Sequence, residues 1–116
     1  MDYNATSSED LARYSTQIID RVKREIAENG SCKLTLTSSA STVPTSLEGG
    51  NYELSKRRLE TGKAMLFELL EGAGLDMNMI STISEKSIVS GPDYFTDPGL
   101  KKSVFVDYQY FKVQFN

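Results

Sequence analysis

The chain has 116 residues, a length that suits one domain with one core of its own. Its composition, 39% hydrophobic and 25% charged with a net charge of −3, is typical of globular proteins and does not indicate disorder. No basic stripe is present, which disfavours general nucleic-acid binding, and no apolar run approaches the ~20 residues that cross a bilayer.

The residues that most often carry catalysis or bind metals are scarce. Histidine is absent, so the commonest metal ligand and the usual general base are both missing. Cys32 is the single cysteine, cannot form an internal disulfide, and is expected to be a small buried hydrophobe. The sequence therefore predicts a protein that is not an enzyme and that holds no metal and no cofactor.

The first residues are polar and acidic, without the basic and apolar regions of a signal peptide. They predict a flexible leader over 1–7 and a single domain over 8–116. Such a beginning also suits a domain of a longer exported protein, whose signal lies elsewhere. A capping box at Thr6 and Glu9 predicts the start of a helix.

The first helix is predicted from its apolar periodicity, and Asn29-Gly30 supplies its left-handed end. The residues of its buried stripe are Leu11, Tyr14, Ile18, Ile19, Val22 and Ile26.

A strand follows, in which Cys32, Leu34 and Leu36 alternate with polar residues and share one face. From residue 38 to residue 50 the chain is rich in serine, threonine and glycine. Long loops in small domains are often functional, but a plain surface crossing remains an equal alternative.

A second amphipathic helix is predicted from Asn51 to Gly74, with Gly72 and Gly74 as its stop. The residues of its inner stripe are Leu54, Met65, Leu66, Leu69, Leu70 and Ala73, with Leu59 and Gly62 near the edge.

Two further strands complete the chain. Residues 80–89 form one, and a Gly91-Pro92 turn opens a polar loop behind it. Residues 103–115 form the other, whose alternation changes phase between Val106 and Phe111. A bulge, or a strand covered on both faces, would explain this change.

The order of elements is therefore α-β-α-β-β. The first strand, the second helix and the next strand have the length of a crossover between parallel strands. The last strand follows a loop, which favours antiparallel pairing. The predicted fold is α/β (α+β), a two-layer sandwich with a small mixed sheet and both helices on one face.

One motif at the start of the second helix resembles a known family. Asn51-x-x-Leu54-Ser55-x-x-Arg58, with the preceding loop and the element order, resembles the OmpA-like (OmpA/MotB C-terminal) domain over about 8–116. The resemblance implies an OmpA-like fold and non-covalent binding of peptidoglycan through its diaminopimelate stem peptide. It also implies a periplasmic or outer-membrane-associated location, within a longer exported protein. In that family an Asp pairs with the ligand's ammonium and an Arg, here Arg58, accepts its carboxylate.

The chain departs from the family pattern at two places. Ser41 or a neighbour stands where the family's turn offers its Asp, and Tyr110-Phe111-Lys112-Val113 replaces the Asn-Arg-Arg-Val-like signature of the last strand. Glu48, in the longer loop before Asn51, is a candidate replacement carboxylate. The predicted ligand-binding residues are therefore Arg58, Asn51, Ser41 and Glu48, with peptidoglycan or envelope proteins as partners.

Other interpretations remain open from the sequence. Arg58 also suits a structural role, bonding loop carbonyls or pairing with Glu48 or Glu53, and Asn51 suits a plain helix N-cap. The whole domain also suits a spacer or protein–protein adaptor of an envelope protein, or a cytoplasmic adaptor. A small enzyme would have to use the serines of 38–41 with Arg58 as an anion clamp.

Overall fold

The computed structural model describes residues 2–5, 8–43, 50–92 and 108–116. These residues contain two long helices and four strands, and a short 3₁₀ turn, Met77–Met79, precedes the third strand. In chain order the elements are β1 (Asp2–Ala5), α1 (Ser8–Asn29), β2 (Cys32–Ala40), α2 (Gly50–Gly72), β3 (Ile80–Val89) and β4 (Tyr110–Phe115). None of the helices in these ranges has the length and apolar character needed to cross a membrane.

The strands form one mixed sheet in the order β1-β4-β2-β3. β2 and β3 are parallel and joined by α2, whereas β4 runs antiparallel to β2 and β1 antiparallel to β4. The predicted parallel crossover and the predicted antiparallel last strand are thereby confirmed. The part of that last strand predicted over 103–107 lies outside the described residues.

The element order differs from the prediction at the beginning of the chain. Asp2–Ala5, expected within a leader, is strand β1, in which Tyr3 pairs with Val113 and Ala5 with Phe111. The Tyr3 ring packs against the rings of Tyr14 and Phe115, with centroids 5.8 and 5.9 Å apart. The observed order is therefore β-α-β-α-β-β, because aromatic contacts with distant residues hold a segment that has little pattern of its own. The predicted capping residue Thr6 lies outside the described residues.

An irregularity occurs in β3 rather than in the described part of the last strand. Leu34 pairs with Thr82 and Thr35 with Ser84, so Ile83 is an extra residue, as in a β-bulge. β4 pairs with β2 without a break from Leu34–Phe115 to Ser39–Tyr110. Val106, where the predicted change of phase begins, lies outside the described residues.

Both helices cover one face of the sheet, since each contacts β2 and they contact each other. Most of the residues predicted for their stripes are buried or packed against the core. The fully buried centre comprises Ile18, Val22, Cys32, Leu34, Leu36, Leu66, Leu70 and Val113. Within it, burial raises the pKa of the Cys32 thiol to about 11, because the thiolate would lose its hydration and faces Glu25. The predicted mixed α/β character, with two helices and a mixed sheet, is thus confirmed.

Gly62 sets how closely α2 approaches the sheet. A Cβ atom at this position would lie 2.5 Å from Cδ2 of Phe111, well inside van der Waals contact. Gly62 was predicted near the edge of the helix stripe, yet it is buried directly against the Phe111 ring. This close approach brings the first turns of α2 against the carboxyl end of β2, where the candidate site lies.

Candidate ligand-binding site between the second strand and the second helix

The end of β2 and the start of α2 are joined by a reciprocal pair of serines. Ser38 Oγ donates to the Ser55 carbonyl, and Ser55 Oγ donates to the Ser38 carbonyl at 3.0 Å. Both side chains are fully buried, and their hydroxyl oxygens lie 3.0 Å apart. Each hydroxyl hydrogen is therefore used in holding the helix to the strand. In the described part of the chain, neither serine is bonded to a carboxylate or an amine that would activate it.

Arg58 lies one turn beyond Ser55 and points to the same end of β2. Its Nη1 donates to the carbonyl oxygen of Ser39, the residue after Ser38. The side chain is half-buried, and this burial lowers the pKa of the guanidinium. Arginine normally titrates so far above neutrality that the group remains charged at physiological pH.

Two other cations of α2, Arg57 and Lys63, differ from Arg58 in having acidic partners. Arg57 lies 4.0 Å from Glu53, and Lys63 Nζ lies 2.8 Å from Glu85 of β3. No carboxylate of the described residues pairs with Arg58. The alternative pairing of Arg58 with Glu53 is therefore absent, and Glu48, the other suggested partner, lies outside the described residues. Arg58 bonds a backbone carbonyl as suggested, but this carbonyl belongs to Ser39 of β2 and not to the loop.

Ser41 lies immediately after β2 and is almost completely buried, with 4% of its surface exposed. Its Oγ accepts a hydrogen bond from Nε2 of Gln109 at 3.3 Å. Next to it, Thr42 Oγ1 donates to the carbonyl of Pro92. The segment that follows β2 is thus tied to the segments that flank β3 and β4.

Asn51 lies in the first turn of α2, because the helix begins one residue earlier at Gly50, whose φ of +71° suits glycine. It is half-buried, and its side chain forms no hydrogen bond with other described residues. The side-chain hydrogen bond expected of an N-cap residue is therefore not seen at Asn51. The next residue, Tyr52, is exposed and lies under the ammonium of Lys56, 5.8 Å from its ring centroid.

The structure thus brings Arg58, Asn51 and Ser41 to one end of the sheet. It adds Ser38 and Ser39, which the sequence suggested only for the enzyme alternative, and Gln109, which the sequence did not assign to any site. The roles of Ser39 and Gln109 have no sequence signal, because one acts through its backbone carbonyl and the other meets Ser41 only through the pairing of β2 with β4. Across the described residues, no group of histidine, cysteine, aspartate or glutamate is arranged to hold a metal ion.

The arrangement suits the reversible binding of an anion. A desolvated guanidinium favours a ligand carboxylate or phosphate, and the nearby amino end of α2 carries partial positive charge. Comparison of the chain with protein-family models gives no matching family, and comparison with curated proteins gives no match.

Proposed function

We propose that this chain is a non-catalytic binding or anchoring module of the cell envelope, of the OmpA-like type. Its ligand is peptidoglycan, and Arg58 receives a carboxylate of the diaminopimelate stem peptide. The proposal rests on the Asn51-to-Arg58 motif, and it places the chain in the periplasm or at the outer membrane as part of a longer protein. The mixed α+β fold with two helices is compatible with it.

The observation that carries the proposal is the half-buried state of Arg58 without an acidic partner among the described residues. Burying a charge costs free energy, and a ligand carboxylate would offset that cost by pairing with it. Among the described residues, one nitrogen of the guanidinium is bonded, to the Ser39 carbonyl. Since a guanidinium has five N–H donors in a planar fork, the remaining donors can hold a carboxylate in two parallel hydrogen bonds.

The ligand's ammonium needs a negative partner, and Ser41 is poorly suited to provide one. Its hydroxyl carries no charge, is buried, and already accepts a hydrogen bond from the side-chain amide of Gln109. Glu48 therefore remains the candidate carboxylate within the loop. The proposed division of roles assigns the ligand's carboxylate to Arg58 and its ammonium to Glu48.

A second candidate function is a protein–protein adaptor of an envelope protein that does not bind the wall. The observation in its favour is a set of exposed apolar side chains along β3, which is an edge strand of the sheet. The two functions are separated by whether purified peptidoglycan retains the protein at all.

Sedimentation with purified peptidoglycan sacculi tests the proposal. We expect Arg58→Ala and Glu48→Ala each to weaken retention by tens-fold or more, since removing one partner of a desolvated charge pair costs ~2–5 kcal/mol. Arg57→Ala is the matched control, because Arg57 is an exposed neighbour with a weak surface pair, and retention should change by less than about twofold.

Titration with soluble diaminopimelate gives a second readout. Amide signals within 38–43 and 50–58 should shift in the wild type and not in Arg58→Ala. Equal retention of wild type, Arg58→Ala and Glu48→Ala on sacculi would contradict the proposed ligand, and so would a diaminopimelate titration without shifts in these segments. Absence of all wall binding would favour the adaptor.

A further inference from the structure

Strand β3 lies at one edge of the sheet, and within the described residues it pairs with β2 alone. Its ten residues present a long row of backbone groups on the outer side. Natural edge strands of this length are usually shielded, because an open edge is a template for another strand. β3 is therefore the part of the sheet best able to accept an additional strand.

Apolar side chains are concentrated along this edge. Five large hydrophobic side chains are exposed among the described residues, and Met79, Ile83, Ile88 and Val89 are four of them. Ile83, the extra residue of the bulge, is 56% exposed. Single exposed hydrophobic residues are ordinary. Three along one edge strand, with Met79 directly before it, mark an interaction surface.

The charges of the strand indicate what it pairs with. Glu85 is already neutralised by Lys63 of α2, at 2.8 Å, and therefore lies on the helix-covered face. Lys86 is exposed and lies in register with Thr37 of β2, which in turn pairs with Lys112 of β4. This row, on the face of the sheet away from the helices, carries two cations and no described carboxylate. A strand added beside β3 would therefore gain from an acidic residue opposite Lys86.

A second copy of this chain does not meet that need. Antiparallel self-pairing about a two-fold axis centres on one residue, and centring on Glu85 or Lys86 places like charges directly opposite. If the two-fold axis passes through Ser84, the paired region includes the bulge at Ile83 and its regular pairing is interrupted. If the axis passes through Ser87, Lys86 of one copy lies opposite Ile88 of the other. The charge pattern thus favours a different strand.

We propose that β3 is a docking edge for an extended segment of another protein, which adds to the sheet as a further strand. Backbone hydrogen bonds along 80–89 hold the segment. An acidic side chain pairs with Lys86, and apolar side chains on either side of it contact Ile83 and Ile88. The carboxyl end of this edge lies near the proposed peptidoglycan site, because Ile88 pairs with Ser39, whose carbonyl accepts from Arg58. The inference does not rest on that proposed function.

Two capped heptapeptides test this inference. Both alternate threonine with valine, and they differ only in a central aspartate or lysine, so each fits β3 in either strand direction. We expect the aspartate peptide to shift the amide signals of 80–89 and to bind roughly two- to fivefold more tightly than the lysine peptide. In Lys86→Glu this preference should reverse.

Lys56→Glu is the control, because Lys56 is an exposed lysine of α2 outside the edge, and the preference for the aspartate peptide should persist. Amide signals outside β3 verify that each variant is folded. Failure of both peptides to shift β3, or equal binding of both by wild type and Lys86→Glu, would overturn the proposal. Concentration-dependent shifts of 80–89 without peptide would assign the edge to a second copy instead.

Discussion

The two ends of the sheet are held together by different forces. Where β1 and β4 meet α1, the contacts are apolar and aromatic, with Tyr3 against Tyr14 and Phe115 and with Ile18 and Val22 in the centre. Where β2 meets the start of α2, the buried side chains are polar and each hydroxyl has a defined partner. The aromatic end gains stability from buried area, whereas the serine end depends on hydrogen bonds that must all be made.

The difference matters for function. An apolar cluster tolerates changes of size and shape as long as its volume is kept. At the serine end, the half-buried guanidinium of Arg58 donates to the Ser39 carbonyl of β2, the strand that the Ser38–Ser55 pair joins to α2. The backbone there is held in one arrangement, so binding of the proposed ligand by Arg58 would cost little conformational entropy.

The largest expected loss of stability follows from removing the Tyr3 ring at the aromatic end. Tyr3→Ala should lower the free energy of unfolding by about 3–5 kcal/mol, because it removes a buried ring that joins β1 to α1 and β4. Urea unfolding followed by circular dichroism measures it. Tyr52→Ala is the matched control, since that ring is 56% exposed and its loss should cost under about 0.5 kcal/mol. Similar midpoints for the two variants would mean that β1 contributes nothing to stability.

The same contrast explains what the sequence predicts well. Periodicity locates α1 and its end at Asn29, and the alternation of Cys32, Leu34 and Leu36 locates β2, because burial of apolar residues repeats with the geometry of each element. β3 has the predicted bounds, Ile80–Val89. β1 was missed, since its four residues show no period and gain their order only from rings distant in sequence.

The candidate site is less predictable than the fold. The motif at 51–58 drew attention to Arg58, but its Ser39 acceptor is a backbone atom, which no residue type reveals. The Ser38–Ser55 pair was also missed, because serine is compatible with a loop, a cap or a buried bond. Hydrogen bonds between distant segments produce no recognisable pattern in a single sequence. Burial produces one, because apolar residues recur with the period of the helix or strand.

A smaller effect on the free energy of unfolding is expected at Gly62, where α2 packs against Phe111 of β4. Gly62→Ala should cost about 1–3 kcal/mol, since the added methyl group would overlap the Phe111 ring and push α2 away from β4. Gly72→Ala in the same helix has open space around it and should be neutral or stabilising by up to about 1 kcal/mol. Thermal unfolding of both variants distinguishes steric overlap from a general effect of glycine. Equal behaviour would mean that Phe111 moves aside without cost.

Ser38 and Ser55 are expected to stabilise the serine end as one coupled unit. Ser38→Ala and Ser55→Ala should each cost about 1–2 kcal/mol, because each leaves a buried carbonyl without its hydroxyl donor. The double variant should cost less than the sum of the two, since the hydroxyls also lie 3.0 Å apart and share one environment. A double-mutant cycle by urea unfolding measures this coupling. If the two changes in the free energy of unfolding are strictly additive, the two hydrogen bonds are independent. Each serine would then separately stabilise the end of β2 to which Arg58 is bonded.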